Sequence, residues 1–358
     1  MHDAPGTMKI LVTGGAGFIG STLVRQLLAM GHEVLNVDLL TYAGHSASIA
    51  ELATEPRHHF LQADIADRSR MREILGDFRP DALLHLAAES HVDRSIDAPD
   101  DFIRTNLIGT FSLLEAARAL GRQAPRFVHV STDEVFGSLG PDGHFTENSR
   151  YDPHSPYSAT KAASDHLVAA WGNTYGLPVI VTRSSNNYGP YQFPEKLIPL
   201  VILKALHHQE IPVFGHGLQV RDWIHVDDHG RALIAIMENG QPGSSYNIGA
   251  ANERTNIEVV REICALLDLR QPRRDGQPHH TGIVHVADRP GHDSRYAIDP
   301  THLTRSLGWA PQRPWHEGLA TTVDWYLARE DWWKPLLHHG DPLRRRGAPT
   351  TTTGETLA

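Results

Sequence analysis

Two adjacent carboxylates, Asp133 and Glu134, directly follow Thr132 in the stretch VSTDEVFG. A hydroxyl such as that of Thr132 can help to polarise a carbinol, so the two carboxylates call for a further explanation. They can act as acid and base together if one is protonated and the other ionised, a state that proximity and burial can produce. In isolation, an Asp-Glu pair on a loop more often belongs to a solvated surface or a helix cap. The chemical interpretation therefore depends on the motifs around the pair.

Tyr157 and Lys161 are four residues apart in YSATK, which places them on one face of a predicted helix. A nearby ammonium favours tyrosinate, so Lys161 is expected to lower the pKa of Tyr157 from its ordinary value of about 10. The phenolate could then remove a carbinol proton while hydride leaves for a nicotinamide. The same spacing often occurs by chance, and it becomes specific only with a dinucleotide site upstream and with Thr132 after a strand.

The stretch TGGAGFIG predicts that dinucleotide site, because its glycines lie between a predicted strand and a predicted helix. Gly14 permits the tight turn, Gly17 lets the backbone approach a pyrophosphate, and Gly20 lets the helix pack on the strand. The helix N-terminus adds backbone donors for the anion. The alternative is a glycine turn that binds nothing.

Further residues at strand ends fit the same cofactor. Asp38 ends the second predicted strand, where its carboxylate can bind a ribose 2′-hydroxyl and would repel a 2′-phosphate, so NAD is favoured over NADP. Asp64 ends the third strand, where it suits an adenine amino group, and small residues end the fourth. Each of these could also be a mere strand terminus. The predicted cofactor-binding residues are Gly14, Gly17, Phe18, Ile19, Gly20, Asp38, Leu39, Leu40, Thr41, Asp64, Ile65, Leu86, Ala87, Ala88, Ser90, Thr105, Tyr157 and Lys161.

Strands and helices alternate along the first half of the chain and must position these residues. Short apolar runs predict strands at KILVTG, HHFLQAD, DALLHLAA, RFVHVST and PVIVTRSS, with amphipathic helices between them. This alternation predicts an α/β fold, a doubly wound parallel (Rossmann) sheet with a smaller C-terminal α/β lobe that binds substrate. The predicted divisions are a disordered extension (1–7), an NAD-binding domain with the catalytic residues (8–186), a lobe with some return to the sheet (187–335) and a disordered tail (336–358).

The composition narrows the class of function. The 358 residues are 40% hydrophobic and 21% charged, which is typical of a globular protein, and no apolar run approaches the roughly 18 residues of a membrane span. A net charge of −9 without a basic run argues against nucleic acid, and scattered histidines without zinc spacing argue against a metal site. The single cysteine, Cys264, is expected in a helical core position, and the cytoplasm is the expected compartment.

On these motifs the chain resembles the extended short-chain dehydrogenase/reductases and, within them, the NDP-sugar dehydratases. The likeness extends from about Met8 to Trp333. It rests on TGGAGFIG, LAAESHVDRSI, STDEVFG, SPYSATKAASDHLV, NNYGPYQFPEKLIPL, RDWIHVDDH and DRPGHDSRYAID. The TDE triplet and the DRPGHD segment are more specific than the cofactor motifs, which many sugar-nucleotide enzymes share.

The resemblance implies a hydro-lyase that converts dTDP-glucose to a 4-keto-6-deoxy sugar, with tightly bound NAD regenerated in each turnover. Tyr157 would take the O4 proton as NAD accepts the C4 hydride. Glu134 would then remove the C5 proton while Asp133 protonates the departing C6 hydroxyl. It also implies a small-molecule nucleotide-sugar partner, no nucleic acid or membrane, and a homodimer through the helices that carry Thr105 and Tyr157. The predicted catalytic residues are Thr132, Asp133, Glu134, Tyr157 and Lys161.

The resemblance also assigns the nucleotide sugar to the second lobe. Arg221 and Arg289 are expected to bind the diphosphate, because a guanidinium fork matches phosphate geometry; a surface salt bridge is the alternative for either. The strand 212–214 resembles the one on which the family packs the nucleobase. The predicted substrate-binding residues are Ser90, Thr132, Asn186, Glu195, Lys196, Leu197, Pro212, Val213, Phe214, Arg221, Asn256, Arg289, His292 and Tyr296.

The sequence departs from the family pattern at a few positions, and it also leaves rival functions to consider. Leu39, Phe136 and the triplet 183–185 differ from the residues that the family commonly carries, but none of them is the proposed acid or base. Rival enzymes are a UDP-sugar 4-epimerase, a UDP-glucuronate decarboxylase or a dehydratase of another nucleotide sugar; the first two do not expel the C6 hydroxyl. The rival from another class is a non-catalytic NAD-binding regulator, against which the intact Tyr157 and Lys161 count.

Overall fold

A computed structural model describes residues 6–288, 292–337 and 343 of the chain. In this part of the chain the strands are β1 (Lys9–Thr13), β2 (Glu33–Asp38), β3 (His58–Gln62), β4 (Ala82–His85), β5 (Arg126–Thr132), β6 (Val179–Ser184), β7 (Asn186–Tyr188), β8 (Ile211–Phe214), β9 (Val220–His225), β10 (Ser245–Ile248), β11 (Glu253–Thr255) and β12 (Ile283–Val286).

The α-helices of the same residues are α1 (Phe18–Ala29), α2 (Arg68–Phe78), α3 (Val92–Asp97), α4 (Pro99–Phe102), α5 (Thr110–Ala119), α6 (Pro156–Tyr175), α7 (Leu197–Leu206), α8 (Val226–Asn239), α9 (Asn256–Arg270), α10 (Thr301–Leu307), α11 (Trp315–Ala328) and α12 (Glu330–Leu337). A π-helical segment, Ile103–Gly109, joins α4 to α5, and a 3₁₀ turn, Asp133–Phe136, follows β5. Other 3₁₀ turns are Ser46–Ser48, Ala50–Thr54, Gly121–Gln123 and His279–Gly282.

The central sheet confirms the predicted doubly wound architecture. Its described strands are all parallel and lie in the order β10-β6-β5-β4-β1-β2-β3. Helices α2, α5 and α6 cover one face, where Met71, Leu113 and Val168 share a core cluster. Helices α1, α8 and α10 cover the other face. Because both faces are covered, the strands read as continuous apolar runs, as in β1, where four of five residues are buried.

The second lobe packs at the carboxyl edge of the central sheet. Its described strands form two small sheets, β11-β9-β7 and β12-β8, and its core lies between α7, α9, α11 and α12. Cys264 is fully buried in that core, as its helical position predicted. The lobe is not a separate segment of sequence, because β10 and α8 follow its first strands and return to the central sheet.

Two of the catalytic candidates, Tyr157 and Lys161, lie on α6, and local sequence fixes where this helix begins and ends. Ser155 accepts a hydrogen bond from the backbone N–H of Ser158, and the Ser158 hydroxyl accepts one from the Ser155 N–H, which forms a capping box. Pro156 occupies the first turn, where its missing N–H costs nothing. Gly176 ends the helix in the left-handed conformation with φ +69°.

The chain termini fall largely outside the described residues. The predicted N-terminal extension is described only at Gly6 and Thr7, which are exposed. Leu336 and Leu337, assigned to the tail from sequence, instead end α12, and Leu336 is buried in the lobe's core. Of the rest of the tail, only Leu343 is described. Among the described helices, none combines the length and the apolar composition needed to cross a membrane.

Candidate active site

Two adjoining cavities lie at the carboxyl edge of the central sheet, where α/β folds of this type bind ligands. The first, of about 300 Å³, follows the glycine turn and the ends of the neighbouring strands. The second, of about 220 Å³, is formed mainly by the second lobe. Both are lined by Ser90, Glu134, Asn186, Glu195 and Lys196, so they form one continuous cleft.

The glycine turn has the geometry of a cradle for a dinucleotide pyrophosphate. Gly14 has φ +75°, and a Cβ there would lie 2.7 Å from the backbone nitrogen of Ala87. A Cβ on Gly20 would lie 2.1 Å from the carbonyl oxygen of Gly14. At Gly17 the nearest described atom to such a Cβ is the Gly14 oxygen at 3.3 Å, so this glycine leaves room on the cavity side. The tight turn at Gly14 and the close packing at Gly20 agree with the spacing, while the approach of a pyrophosphate to Gly17 stays a prediction.

Asp38 is held at the end of β2 by two backbone donors. The N–H of Ala16 donates to its Oδ2 at 2.9 Å, and the N–H of Leu40 donates to its Oδ1 at 2.8 Å. Burial raises the pKa of Asp38, while these backbone donors lower it. The carboxylate therefore has a fixed orientation in the wall of the first cavity.

The first cavity collects nearly all of the predicted cofactor residues. Asp64 lies in the wall, and its Oδ2 also accepts a hydrogen bond from Arg104 at 2.5 Å. Ala87 also lines the cavity, and its N–H donates to the hydroxyl of Thr13 at 3.2 Å. The predicted residues in this wall are Gly14, Gly17, Phe18, Ile19, Gly20, Asp38, Leu39, Thr41, Asp64, Ile65, Leu86, Ala87, Ala88, Ser90, Thr105, Tyr157 and Lys161.

Thr132, Asp133 and Glu134 enter the cleft from the end of β5. The Thr132 hydroxyl accepts a hydrogen bond from the N–H of Glu134 at 3.2 Å and so caps the 3₁₀ turn. Asp133 is only 2% exposed, and its Oδ2 has no hydrogen-bond partner among the described residues. Burial, then the neighbouring charges of Glu134 and Asp222, hold the pKa of Asp133 well above its ordinary value. These surroundings favour a proton on Asp133.

Tyr157 and Lys161 project from α6 into the first cavity and are both buried. The expected net lowering of the Tyr157 pKa is wrong for this arrangement, because other surroundings outweigh the effect of Lys161. Burial and then the charge of Glu134 raise that pKa, and a hydrogen bond with Thr132 opposes them only in part. The Lys161 ammonium donates to the carbonyl of Val130 at 2.8 Å. The four-residue spacing thus places both groups at the site, but it does not determine whether Lys161 or Glu134 has the larger effect on the pKa of Tyr157.

The second cavity collects most of the predicted substrate residues. Arg221 donates from its two terminal nitrogens to the carbonyls of Val220 and Asp293, at 2.8 and 2.9 Å, and these contacts fix its guanidinium in the wall. Lys196 donates to the carbonyl of Ser90 at 2.8 Å, where the two cavities meet. The predicted substrate residues in this wall are Ser90, Asn186, Glu195, Lys196, Leu197, Pro212, Val213, Phe214, Arg221, Asn256 and His292; Thr132 lines the first cavity.

Three predicted site residues are not placed in either wall. Leu40 lies beside the first cavity, where its N–H holds Asp38. The ring of Tyr296 packs beneath the Arg221 guanidinium at 4.3 Å, and its hydroxyl binds Asp293, so it supports Arg221 from behind. Within the described chain, Leu40 and Tyr296 are therefore neighbours of the site and not part of its lining. Arg289 lies outside the described residues.

Several lining residues were missed in the sequence. Glu89 lies in the first cavity, and burial followed by the charge of Asp101 raises its pKa to about 7. Its position directly before Ser90 in LAAES was a signal that could have identified it. Phe193 and Gln192 precede the predicted Glu195 and also line the first cavity. Leu343 lines the second cavity, but its polar sequence surroundings gave no signal for such a contact.

Comparison with known proteins relates the whole chain to one group of enzymes. The family model described as GDP-mannose 4,6 dehydratase matches residues 11–322. A dTDP-glucose 4,6-dehydratase of Neisseria meningitidis serogroup B is 54% identical over 350 residues, which are 95% of this chain and 99% of that protein. The dTDP-glucose 4,6-dehydratase 1 of Escherichia coli K12 is 53% identical over 342 residues, 91% of this chain and 94% of that protein.

Solved structures give the same relationship. A dTDP-glucose 4,6-dehydratase from Streptomyces venezuelae, crystallised with NAD bound, has a TM-score of 0.86 and 45% identity, covering 92% of this chain and all of that one. A UDP-glucose 4-epimerase of Thermus thermophilus, in complex with NAD, has a TM-score of 0.81 but 29% identity, covering 90% of this chain and all of that one. The dehydratases are thus much more similar in sequence than this epimerase, on nearly the same backbone.

Proposed function

The chain belongs to the GDP-mannose 4,6 dehydratase family, and on that premise we propose that it is an NAD-dependent dTDP-glucose 4,6-dehydratase. It converts dTDP-glucose to dTDP-4-keto-6-deoxyglucose and water, with no net oxidation. The reaction consists of oxidation at C4, elimination of water across C5 and C6, and reduction at C6.

The observation that carries this proposal is the position of Asp133 and Glu134 beside Tyr157. All three line the first cavity, and Glu134 also lines the second. An epimerase needs a group that oxidises and reduces C4, but it does not need an acid and a base for loss of a hydroxyl. The buried, protonated Asp133 beside Glu134 supplies that additional pair.

The first cavity fits NAD, which supplies a reversible hydride acceptor when it is bound. Gly14, Gly17 and the N-terminus of α1 would hold its pyrophosphate, and the Asp38 carboxylate, fixed by the Ala16 N–H, would accept hydrogen bonds from its adenosine ribose. Tyr157 takes the proton of the sugar O4 hydroxyl during oxidation, and Thr132 orients that hydroxyl. Lys161 supplies the positive charge that favours the resulting tyrosinate.

Elimination uses the two carboxyls in opposite roles. The C4 ketone acidifies the adjacent C5 proton, so a carboxylate is a sufficient base, and Glu134 removes it. Asp133 donates its proton to the C6 hydroxyl, which leaves as water. The proton on Glu134 then returns to C5 as C6 is reduced. Before the next cycle, Tyr157 releases the proton it took from O4 and Asp133 takes up one in its place, so that no proton is gained or lost overall.

The second cavity holds the rest of the substrate in this proposal. Arg221 and Lys196 bind the diphosphate, and Asn186 and Glu195 meet the sugar at the junction of the cavities. The nucleobase packs against strand β8, with Asn256 and His292 beside it. Arg289 remains a proposed diphosphate ligand.

We further propose that the protein is a cytoplasmic homodimer. Ile103 and Ile108 are 47% and 45% exposed on the π-helical segment that carries Thr105, one of the two helical regions that the sequence indicated for the interface. Two large apolar side chains on one exposed segment favour burial against a second copy. A single cysteine is typical of proteins from a reducing compartment.

Incubation of the purified protein with dTDP-glucose and no added NAD tests the proposed reaction. The expected result is the alkaline absorbance of a 4-keto-6-deoxy sugar that rises well beyond one equivalent of enzyme, because the cofactor is regenerated. UDP-glucose under the same conditions tests the nucleotide preference. No product from dTDP-glucose, even after NAD is supplied, would contradict the proposal, and a 4-epimer without water loss would establish the rival reaction.

A further inference from the structure

A cluster of charged side chains lies one turn beyond Lys161 along α6, and its other members line neither cavity. Asp165 follows Lys161 by one helical turn and is 1% exposed. Arg183 on β6 and His129 on β5 are also buried and complete the cluster. The reaction proposed above uses Lys161 but gives no role to the other three.

The polar contacts of Asp165 are with residues other than Lys161. Arg183 donates from Nε to Oδ2 of Asp165 at 3.1 Å, and the hydroxyl of Tyr151 donates to the same oxygen at 3.0 Å. The Nε2 of His129 lies 3.3 Å from the other oxygen. Lys161 instead donates to the backbone carbonyl of Val130 at 2.8 Å.

Aromatic rings hold the Arg183 guanidinium in this position. It lies 5.1 Å from the ring centroid of Phe136 and 5.2 Å from that of Tyr151. Phe136 belongs to the same 3₁₀ turn as Asp133 and Glu134. The ion pair is therefore packed directly against the turn that carries the proposed acid and base.

The charges of the cluster do not balance around Lys161. The imidazoles of His85 on β4 and His129 on β5 are neutral at neutral pH, because burial and then nearby positive charge lower their pKa values. The pKa of His129 falls to about 4. Burial lowers the pKa of Lys161 to about 8, and Asp165 opposes that effect. On the side of the cleft, Asp133 and Glu134 face Tyr157. Lys161 and Arg183 are thus two cations near one carboxylate, that of Asp165, and only Arg183 is in contact with it.

We propose that the Arg183–Asp165 ion pair is a positioning pair for the reaction: by occupying Asp165, Arg183 withholds a full negative charge from Lys161 and so sets the upper pH limit at which Lys161 still carries the positive charge that the reaction uses. The ion pair acts on Lys161 as a dipole, whereas an unpaired Asp165 would act on it as a full negative charge. The difference is large because charges interact strongly in the buried surroundings of Lys161. This proposal deepens the function proposed above, since its kinetic consequence rests on that reaction. Its electrostatic part concerns only residues of this chain.

The two members of the pair have opposite expected effects. Arg183→Gln removes the cation and leaves Asp165 to stabilise the Lys161 ammonium, so the pKa of Lys161 rises by about one pH unit or more. Asp165→Asn leaves Arg183 as an uncompensated cation, so the pKa of Lys161 falls by a similar amount. The double variant removes both charges and restores a value near that of the wild type. If the ion pair had only a structural role, both single substitutions would shift the pKa of Lys161 in the same direction.

The chain contains only five lysines, Lys9, Lys161, Lys196, Lys204 and Lys334, which permits a direct measurement. Protein labelled with ¹³C at the lysine ε-carbon is titrated by NMR from about pH 6 to about pH 11, across the ordinary and lowered lysine range. Lys161→Met identifies the Lys161 signal. Arg183→Lys keeps the charge and Tyr151→Phe keeps both charges while removing a hydroxyl from the cluster, so both leave the titration of Lys161 close to that of the wild type.

The pH profile of dTDP-glucose turnover is the second readout. The alkaline decline of kcat is expected to move to higher pH in Arg183→Gln and to lower pH in Asp165→Asn, with circular dichroism as the check on folding. If Arg183→Gln does not fold, the downward shift in Asp165→Asn still tests the proposal. An unchanged Lys161 titration in folded variants overturns the proposal even if the enzyme is active. If the Lys161 titration shifts as expected but the wild-type protein does not convert dTDP-glucose, the proposed function is contradicted and the electrostatic proposal is not.

Discussion

Asp133 and Glu134 are neighbours in sequence but have different surroundings. The carboxyl of Asp133 is buried beside Asp222 and Arg221, and its pKa is raised, whereas Glu134 is half-buried at the junction of the two cavities. Two adjacent carboxyls can therefore hold one proton and one negative charge at the same pH. This difference is the residue-scale basis for simultaneous acid and base chemistry in the proposed elimination.

Replacement of both carboxyls separates oxidation from elimination. In Asp133→Asn with Glu134→Gln, we expect dTDP-glucose to reduce bound NAD, which Tyr157 and Lys161 still support, but no 6-deoxy product to form. The absorbance of reduced nicotinamide and a product assay in the same sample provide the measurement. Loss of nicotinamide reduction would assign the pair to oxidation or folding instead.

The burial of Asp133 also predicts a cost to stability. Its folded-state pKa is raised, so folding is opposed by a term that grows as the pH rises from the unfolded pKa to the folded one. Asp133→Asn removes this term and is expected to increase the free energy of unfolding by about 1 kcal/mol at about pH 7, with a smaller gain towards about pH 4. Thermal unfolding of both proteins with excess NAD measures the difference; equal melting temperatures at both pH values would contradict the expectation.

At the scale of elements, the glycine turn and the π-helical segment bring the cofactor wall together. The turn before α1 needs glycine at position 14 because of its positive φ and its contact with Ala87. The π-helical segment places Asn106 inside the fold, where its Oδ1 accepts from the N–H of Glu89 at 2.9 Å and its Nδ2 donates to Thr160 on α6 at 3.0 Å. This one amide therefore joins the end of β4 to the catalytic helix.

Substitution of glycine by alanine tests the turn with a control from the same domain. Gly14→Ala is expected to abolish retention of NAD and lower the melting temperature, because its Cβ would overlap the backbone of Ala87. Gly76 lies within α2, and apart from its chain neighbours and the backbone of its own helix no described heavy atom is within 4 Å of the position of an added methyl group. Gly76→Ala is therefore expected to be neutral or stabilising by about 0.5–1 kcal/mol. NAD content after purification and thermal unfolding are the measurements; equal NAD content in the two variants would contradict the assigned role of the turn.

At the scale of the whole molecule, the site exists only where the second lobe meets the central sheet. Glu134 comes from the end of β5, while Arg221 comes from β9, and the cleft between them is lined by both parts of the chain. The exposed apolar residues of the π-helical segment lie on the same molecule but not in the second cavity. Neither Ile103 nor Ile108 lines the first cavity either, so substitution of these residues tests the proposed dimer without changing the lining of the cleft.

The proposed dimer is tested by a charge in the apolar segment. Ile108→Glu is expected to shift the protein from dimer to monomer, because a carboxylate would have to be buried at the interface. Leu269 is 81% exposed at the end of α9, and Leu269→Glu serves as the matched control that leaves the mass unchanged. Light scattering after size-exclusion chromatography measures both; a wild-type monomer, or an unchanged dimer in Ile108→Glu, would place the interface elsewhere or remove it.

The features that the sequence determined by itself are local. Strand and helix alternation, the glycine turn and the Tyr157–Lys161 spacing each depend on residues within one or two elements, because backbone conformation and short-range periodicity fix them. The parallel sheet and most residues of the first cavity followed from these patterns, since the carboxyl ends of parallel strands meet at one edge, whereas the family resemblance supplied those of the second cavity. The family resemblance added the roles of Asp133 and Glu134, which spacing alone left open.

Tertiary structure decided what depends on burial and distant neighbours. The raised pKa of Tyr157, the ion pair between Arg183 and Asp165, and the contact of Leu343 with the second cavity join parts of the chain that no local pattern relates. Charge–charge interactions and desolvation depend on what surrounds a group in space, and residues far apart in sequence supply those surroundings. For this reason the sequence could identify the reacting groups, while only the folded chain determined their protonation and the shape of the cleft.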